Sequence, residues 1–170
     1  MIRDGSIEDA ADLARAEQEC FASDAWDRES LASLLAHPDI SFRLSFSESE
    51  EFVAWAVWGF GEMSIPVGDL PPAERDQAVT STARGDRLIR VLSLAARPAW
   101  RGKGYARQLL TDGLRRGRAR GYAGAVLEVR SSNTAAQALY GSQGFQMWAR
   151  LPFWFREPTE NGLIMVKMFF

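Results

Sequence analysis

Apolar residues recur along the first third of the chain at a helical interval. Ile7, Ala10, Leu13, Ala14 and Phe21 keep that period from Ser6 to a break at Ala22-Ser23-Asp24, and Asp9 stands three residues after Ser6 as a capping-box partner. A short strand, Ile2-Arg3, precedes this helix. Asp27 is placed to cap a second helix through Leu31, Leu34 and Leu35, which must end before Pro38. Ile40–Ser47 and Glu51–Phe60, rich in Phe, Val and Trp, predict an antiparallel strand pair. Gly61–Asp86 has no period and contains Pro66 and Pro71-Pro72. An irregular stretch of that length is uncommon inside a compact domain and reads as a flap, a decoration or a disordered loop.

Regularity returns with a strand over Arg87–Ala95. Pro98 and Trp100 lead into a glycine turn, and a helix follows to about Arg120 on the spacing of Tyr105, Leu109, Leu110 and Leu114, with Gly121 as its C-cap. A strand at Ala123–Val129, a helix from Thr134 to Ser142 and a strand from Phe145 come next. Asn161-Gly162 predicts the turn before a last strand, Leu163–Phe169. The order βααβββαβαββ predicts one α/β domain over residues 1–170, built on a mixed central sheet of about seven strands with about four helices.

Composition narrows the chemistry. With 46% hydrophobic and 25% charged residues the chain reads as an ordinary globular domain. No apolar run approaches the ~18 residues of a membrane span, and Met1-Ile2-Arg3-Asp4 lacks the apolar core of a signal peptide, so a cytoplasmic location is expected. A single cysteine, Cys20, excludes an intrachain disulfide, and it falls on an apolar helix face as a buried thiol would. The single histidine, His37, precedes Pro38 in a helix-to-strand connection and reads as a surface loop residue. Triad mechanisms would have to use it, and metal ligands are scarce, so no metal is expected.

The net charge of −2 conceals a division. Arg84 to Arg120 holds eleven Arg or Lys against Asp86 and Asp112, which leaves about −11 on everything else. A basic block of this kind suits a nucleic acid or a small polyanion such as a nucleotide cofactor. The acidic remainder argues against a nucleic-acid surface wrapping the whole domain, although the Arg115–Arg120 cluster keeps that reading open.

Two segments carry candidate chemistry. In Arg101-Gly102-Lys103-Gly104-Tyr105-Ala106-Arg107 small residues allow close approach of the backbone, and the turn feeds a helix whose free N–H groups and dipole form an anion site. It is neither a Walker loop nor the dinucleotide fingerprint, and a plain glycine-rich connector is the bland alternative. In Leu127-Glu128-Val129-Arg130, alternation turns Glu128 away from Ala125, Leu127 and Val129. The carboxylate then either lines a cleft or forms a surface pair with Arg130. Asn133 could cap the following helix or offer its amide to a ligand, and a core tyrosine with a satisfied hydroxyl is the ordinary reading of Tyr140.

Taken together these segments resemble the GCN5-related N-acetyltransferase family across nearly the full chain, and Leu92–Phe145 is most similar to its ribosomal-protein-alanine N-acetyltransferase group. Arg101-Gly102-Lys103-Gly104-Tyr105-Ala106 matches the family's acetyl-CoA motif. Leu127-Glu128-Val129-Arg130, Asn133, Ala138-Leu139-Tyr140 and Gly144-Phe145 match the characteristic run that follows. The resemblance implies a sheet with helices on both faces and acetyl-CoA as acyl donor. It implies that backbone groups of Leu94, Ala95 and Ala96 hold the pantetheine and polarise the thioester, that Gly102, Lys103, Gly104, Tyr105, Ala106 and Arg107 hold the pyrophosphate, and that Asn133 contacts the pantetheine arm. Glu128 matches the general base and Tyr140 the general acid for the departing thiolate. The implied partners are acetyl-CoA and an amine acceptor, a peptide N-terminus or a small molecule, with neither nucleic acid nor membrane, in a monomer or homodimer. A catalytically silent acyl-CoA-binding sensor is the alternative.

Three departures concern the acceptor. Arg97 stands where the group carries an acidic residue, Phe153-Trp154-Phe155 replaces a tyrosine pair, and Gly61–Asp86 is longer than the usual connection. The aromatic trio either lines an amine pocket or packs in the core, and Trp26, between the first two helices, either meets the acceptor or packs them together. Proton chemistry adds one preference. At pH 7 an α-amine is about 10–15% neutral and a lysine about 0.04%, a gap worth roughly 3.4 kcal/mol, so one partly buried carboxylate suffices more readily for an α-amine.

Overall fold

In the computed structural model the elements run β1 (Ile2–Asp4), α1 (Ala10–Phe21), α2 (Arg28–Leu35), β2 (Ile40–Phe46), β3 (Phe52–Gly59), β4 (Leu88–Ala96), α3 (Tyr105–Ala119), β5 (Gly124–Arg130), α4 (Thr134–Ser142), β6 (Gln146–Arg156) and β7 (Thr159–Met168). The structure describes residues 1–61 and 87–169, so beyond Gly61 the long irregular stretch lies outside the described residues. The strands hydrogen-bond in the order β1-β2-β3-β4-β5-β7-β6. Neighbours β4 and β5 are joined by a helical crossover, as parallel strands must be, whereas β1-β2-β3 and β5-β7-β6 pair antiparallel. The sheet is therefore mixed, as the element order predicts.

The chain divides into two compact units. In the first, comprising residues 1–61 and 91–115, the stripe Ala10, Leu13 and Ala16 of α1 packs with Leu31 of α2 on Phe42, Leu44, Trp55 and Val57 of β2 and β3. Val53 to Trp58 are all fully buried, which explains why β3 reads as a continuous apolar run without alternation. Arg43 is buried on β2 and is satisfied on two sides. Its Nε donates to Asp112 Oδ2 of α3 (2.7 Å), and its other nitrogen donates to Asp4 Oδ1 of β1 (2.7 Å). Asp112, one of two acids in the basic block, is thus committed to the fold.

Helix α3 carries Gly113 because Trp58 lies directly on it. A Cβ there would stand 2.0 Å from the indole ring, closer than any packing allows. Gly113→Ala is expected to cost about 1–3 kcal/mol of stability. In a chain of this size that lowers the thermal midpoint by roughly 2–12 °C, measured by differential scanning calorimetry.

In the described part of the second unit, 87–90 with 116–169, β7 pairs with β5 from Gly124↔Met168 to Arg130↔Gly162 and with β6 on its other edge. Val126, Ala149, Leu151 and Ile164 form its core, with Leu88 and Trp154 packed against it. The hairpin turns at Glu157-Pro158, so the predicted turn at Asn161-Gly162 is wrong: both residues lie inside β7. They serve a bulge in the opposite strand, where the register slips between Leu151 and Phe155. Asn161 Oδ1 accepts the Phe153 N–H (3.0 Å), and Gly162 leaves room for Trp154, whose Cβ would stand 3.1 Å from a Cβ at 162.

Candidate active site

The glycine turn is built as an open end. Gly102 and Gly104 both have left-handed backbone, with φ of 75° and 86°, and a Cβ on either would meet nothing within 4 Å. Conformation rather than packing therefore requires glycine here. Gly104 O accepts the Gln108 N–H (3.0 Å), the first hydrogen bond of α3. The N–H groups of Gly104, Tyr105, Ala106 and Arg107 are then the helix's orphan donors. Lys103 sits over the Trp100 ring, 4.3 Å from its centroid, and Trp100 stands edge-on to Tyr105. Donors, dipole and cation at one exposed turn suit a pyrophosphate.

In the same unit β4 ends at Ala96, with Leu94, Ala95 and Ala96 on its last turn of pleat. The Ala96 carbonyl accepts from Arg101 Nε (3.3 Å), and Cys20 Sγ lies 3.6 Å from it. Cys20 is half-buried at this strand end rather than buried in the core, and burial pushes its thiol up. His37 is exposed in its loop, as read from the sequence. Arg97 forms a two-pronged pair with Glu19 (2.9 and 3.0 Å) and donates to the Phe52 carbonyl (3.2 Å). The residue that departs from the acidic pattern is thus bound into its own network.

Trp26 is half-buried in the connection between α1 and α2, packed against the first unit's core. Glu17, which sequence reasoning passed over, holds its backbone. This carboxylate is 2% exposed. It accepts from Trp55 Nε1 (2.8 Å), Ser93 Oγ (3.4 Å) and the Trp26 N–H (3.4 Å). Burial is the largest influence and raises its proton affinity, while the three donors oppose it. A carboxyl raised on folding favours the fold below its unfolded value, and that contribution is lost as pH rises through the folded value. Glu17→Gln removes the charge, so its thermal midpoint relative to wild type is expected to improve progressively as pH rises above about 4.5. Thermal melts of both proteins from pH 4 to 8 check this.

In the second unit Glu128 lies in β5 opposite Ile164 of β7, with 11% of its side chain exposed. The surface pair with Arg130 does not form. Arg130 instead donates to Glu160 Oε1 (2.9 Å) and to the carbonyls of Glu157 and Pro158 (both 3.0 Å). Glu128 is paired with Arg90 of β4, in close ionic contact. Desolvation raises the Glu128 proton affinity most, and the Arg90 charge pulls it back down. A carboxylate with raised proton affinity is what proton abstraction near neutral pH requires. Asn133 caps α4, its Oδ1 accepting the Ala136 N–H (3.1 Å). Tyr140 is 7% exposed on α4, its ring 5.7 Å from that of Phe145, and burial pushes its hydroxyl up to about 12.

The aromatic trio divides at the β6 bulge. Trp154 packs inward on the second core, and Phe155 lies under the Arg130 guanidinium, 4.4 Å from its carbon. Phe153 is 76% exposed on left-handed backbone, with φ of 52°. A large side chain held outward on such backbone is unusual and costs conformational energy. The three residues do not form one wall. Among the described residues, no group of His, Cys, Asp and Glu could hold a metal ion, and no helix is long and apolar enough to cross a membrane.

The model of the acetyltransferase (GNAT) family matches residues 8–145, and the chain belongs to that family. Over 78 residues it is 41% identical to the ribosomal protein bS18-alanine N-acetyltransferase of Haemophilus ducreyi. That match covers 44% of this chain and 54% of the other, so the chain spans about half the length of the curated relative. Among solved structures it is similar to the ribosomal-protein-S18-alanine N-acetyltransferase of Escherichia coli, with a TM-score of 0.75, 21% identity and coverage of 99% and 92% of the two chains. It is likewise similar to NAA60 of Arabidopsis thaliana in complex with acetyl-CoA, with a TM-score of 0.78, 17% identity and coverage of 99% and 97%. At these identities the structural likeness is one of fold.

Proposed function

We propose that this chain transfers an acetyl group from acetyl-CoA to a primary amine by direct attack, the acceptor being a protein N-terminal α-amine or a small-molecule amine of similarly low proton affinity. The observation that carries this reading is Glu128: a nearly buried carboxylate of raised proton affinity in the segment that carries the family's sequence run. The donor is assigned to the orphan N–H groups of Gly104 to Arg107 with Lys103 beside them, and to backbone groups of Leu94, Ala95 and Ala96 for the thioester arm. Asn133, whose Oδ1 is spent on the cap, keeps an amide N–H for the pantetheine.

In the proposed reaction the amine nitrogen attacks the thioester carbonyl carbon. Glu128 takes the amine proton directly or through one water, the C–S bond breaks, and the electron pair leaves on sulfur. Tyr140 keeps its proton through neutral pH and offers the O–H to the departing thiolate. Because a thiol is by reference the stronger acid, that phenol acts first as a hydrogen-bond donor that stabilises the leaving group.

The α-amine preference has support from Arg90. A guanidinium already paired with the base disfavours the arrival of a second full cation, so an amine that is often neutral enters more readily. Trp26 in the first unit and, separately, the outward Phe153 in the second are each assigned as acceptor contacts, with Trp154 and Phe155 beside Phe153 on β6. The test is one peptide in two forms, one with a free N-terminus and no lysine, the other N-terminally blocked with one lysine. Acetylation is expected at the α-amine form at least tenfold faster. Equal rates, or faster lysine acetylation, would remove the acceptor assignment.

A further inference from the structure

The Arg90–Glu128 pair links β4 and β5 beside an apolar cluster. Leu88 and Val126, two residues before each partner, belong to the same hydrophobic cluster as Ile164 and Leu151. Each side chain of the pair is at most 15% exposed. A buried ion pair is a poor source of stability, because desolvating both charges offsets most of their attraction. Its presence beside the proposed base therefore calls for another reason.

We propose that Arg90 is a positioning residue for the base: through its ion pair it fixes the Glu128 carboxylate at its place on β5 and favours the charged form. The inference rests on the reading of Glu128 as general base and assigns Arg90 no contact with either substrate. Among the described residues, the groups that act on Glu128 are few. Arg90 reaches it from β4, and its own backbone N–H contributes within β5. Ile164 is its partner on β7, and Arg130, two residues along β5, is turned to Glu160. Burial raises the proton affinity of the carboxyl, and the Arg90 guanidinium in contact with it opposes that rise. An opposite charge at contact lowers a carboxyl by about 1–3 units, which favours the form able to accept a proton.

The test is the pH dependence of kcat/KM for acetyl-CoA-dependent acetylation of the free-N-terminus peptide. Arg90→Leu is expected to move the acidic limb upward by about 1–3 pH units, with kcat/KM below that limb falling about 10- to 1000-fold. Arg90→Lys, which retains the charge, is expected to stay within about half a unit of wild type. If the leucine variant does not fold, Arg90→Gln carries the same test, and the thermal shift on acetyl-CoA addition verifies folding in each case. An acidic limb unmoved in folded Arg90→Leu or Arg90→Gln overturns the inference. The underlying reading fails separately: if Glu128→Gln keeps the wild-type limb and rate, Glu128 is not the base.

Discussion

Glutamine at position 128 is expected to lower turnover by a factor on the order of 10²–10⁴ while leaving acetyl-CoA binding as in wild type. The substitution is nearly isosteric and keeps one hydrogen-bond acceptor for Arg90, so β5 retains its pairing with β7 through Glu128↔Ile164. What it removes is the capacity to take a proton. An ammonium has no lone pair for attack, so the neutral amine must form, and this buried carboxylate of raised proton affinity is the group proposed for that step. Binding of the donor is assigned to other residues, on the turn before α3. The measurement is steady-state turnover at saturating acetyl-CoA, beside the donor-induced thermal shift of both proteins. Unchanged turnover would take Glu128 out of the mechanism.

The second large effect concerns the donor. Acetyl-CoA at about one hundred times its dissociation constant stabilises a folded protein by about 2.7 kcal/mol, which for a chain of this size raises the thermal midpoint by roughly 5–11 °C. Gly104→Glu is expected to abolish that rise. It places a carboxylate at the open helix end, against the charge the turn is built to receive, on backbone with φ of 86°. Gly104→Ala separates the two causes. It incurs the left-handed strain, about 1–2 kcal/mol, but adds no charge and no obstruction, so a shift on acetyl-CoA is expected to survive. A full wild-type shift in the glutamate variant would move the phosphates elsewhere.

Much of this was legible before any coordinate. Helical period and cap residues located α1, α2 and α3 to within a few residues, and the break at Ala22 coincides with left-handed backbone there (φ 47°). The hairpin turn was not. Asn161-Gly162 is a strong local turn signal, but here the pair is needed opposite a bulge, and tertiary packing of Trp154 outweighs the local preference. The partner of Glu128 was missed for a different reason. Strand pairing is nonlocal, and no spacing links Arg90 to Glu128, whereas Arg130 is close in sequence and chemically suitable. A signal existed all the same: an arginine inside Leu88-Ile89-Arg90-Val91-Leu92 needs a buried counter-charge, and Glu128 is an acid inside another apolar strand. Glu17 left a similar trace, a carboxylate in the helical stripe of Ala10 and Leu13, where core residues belong.

The acceptor was legible only as chemistry. The departures at Arg97 and at Phe153-Trp154-Phe155 show in the sequence, but their consequences depend on contacts. Arg97 is occupied by Glu19 and Phe52, and the trio is split between a core side chain, a stacked one and an exposed one.

The central claim is acyl transfer, and the most direct measurement is release of CoA thiol from acetyl-CoA, followed together with the acetylated product across a panel of free-N-terminus peptides and small amines. The account predicts at least one acceptor for which thiol and acetylated amine appear in equal amounts, at a rate that falls on the order of 10²–10⁴ in Glu128→Gln. Saturable acetyl-CoA binding with no acceptor-dependent thiol release from any member of the panel would contradict it, and would leave a silent acyl-CoA-binding domain in its place.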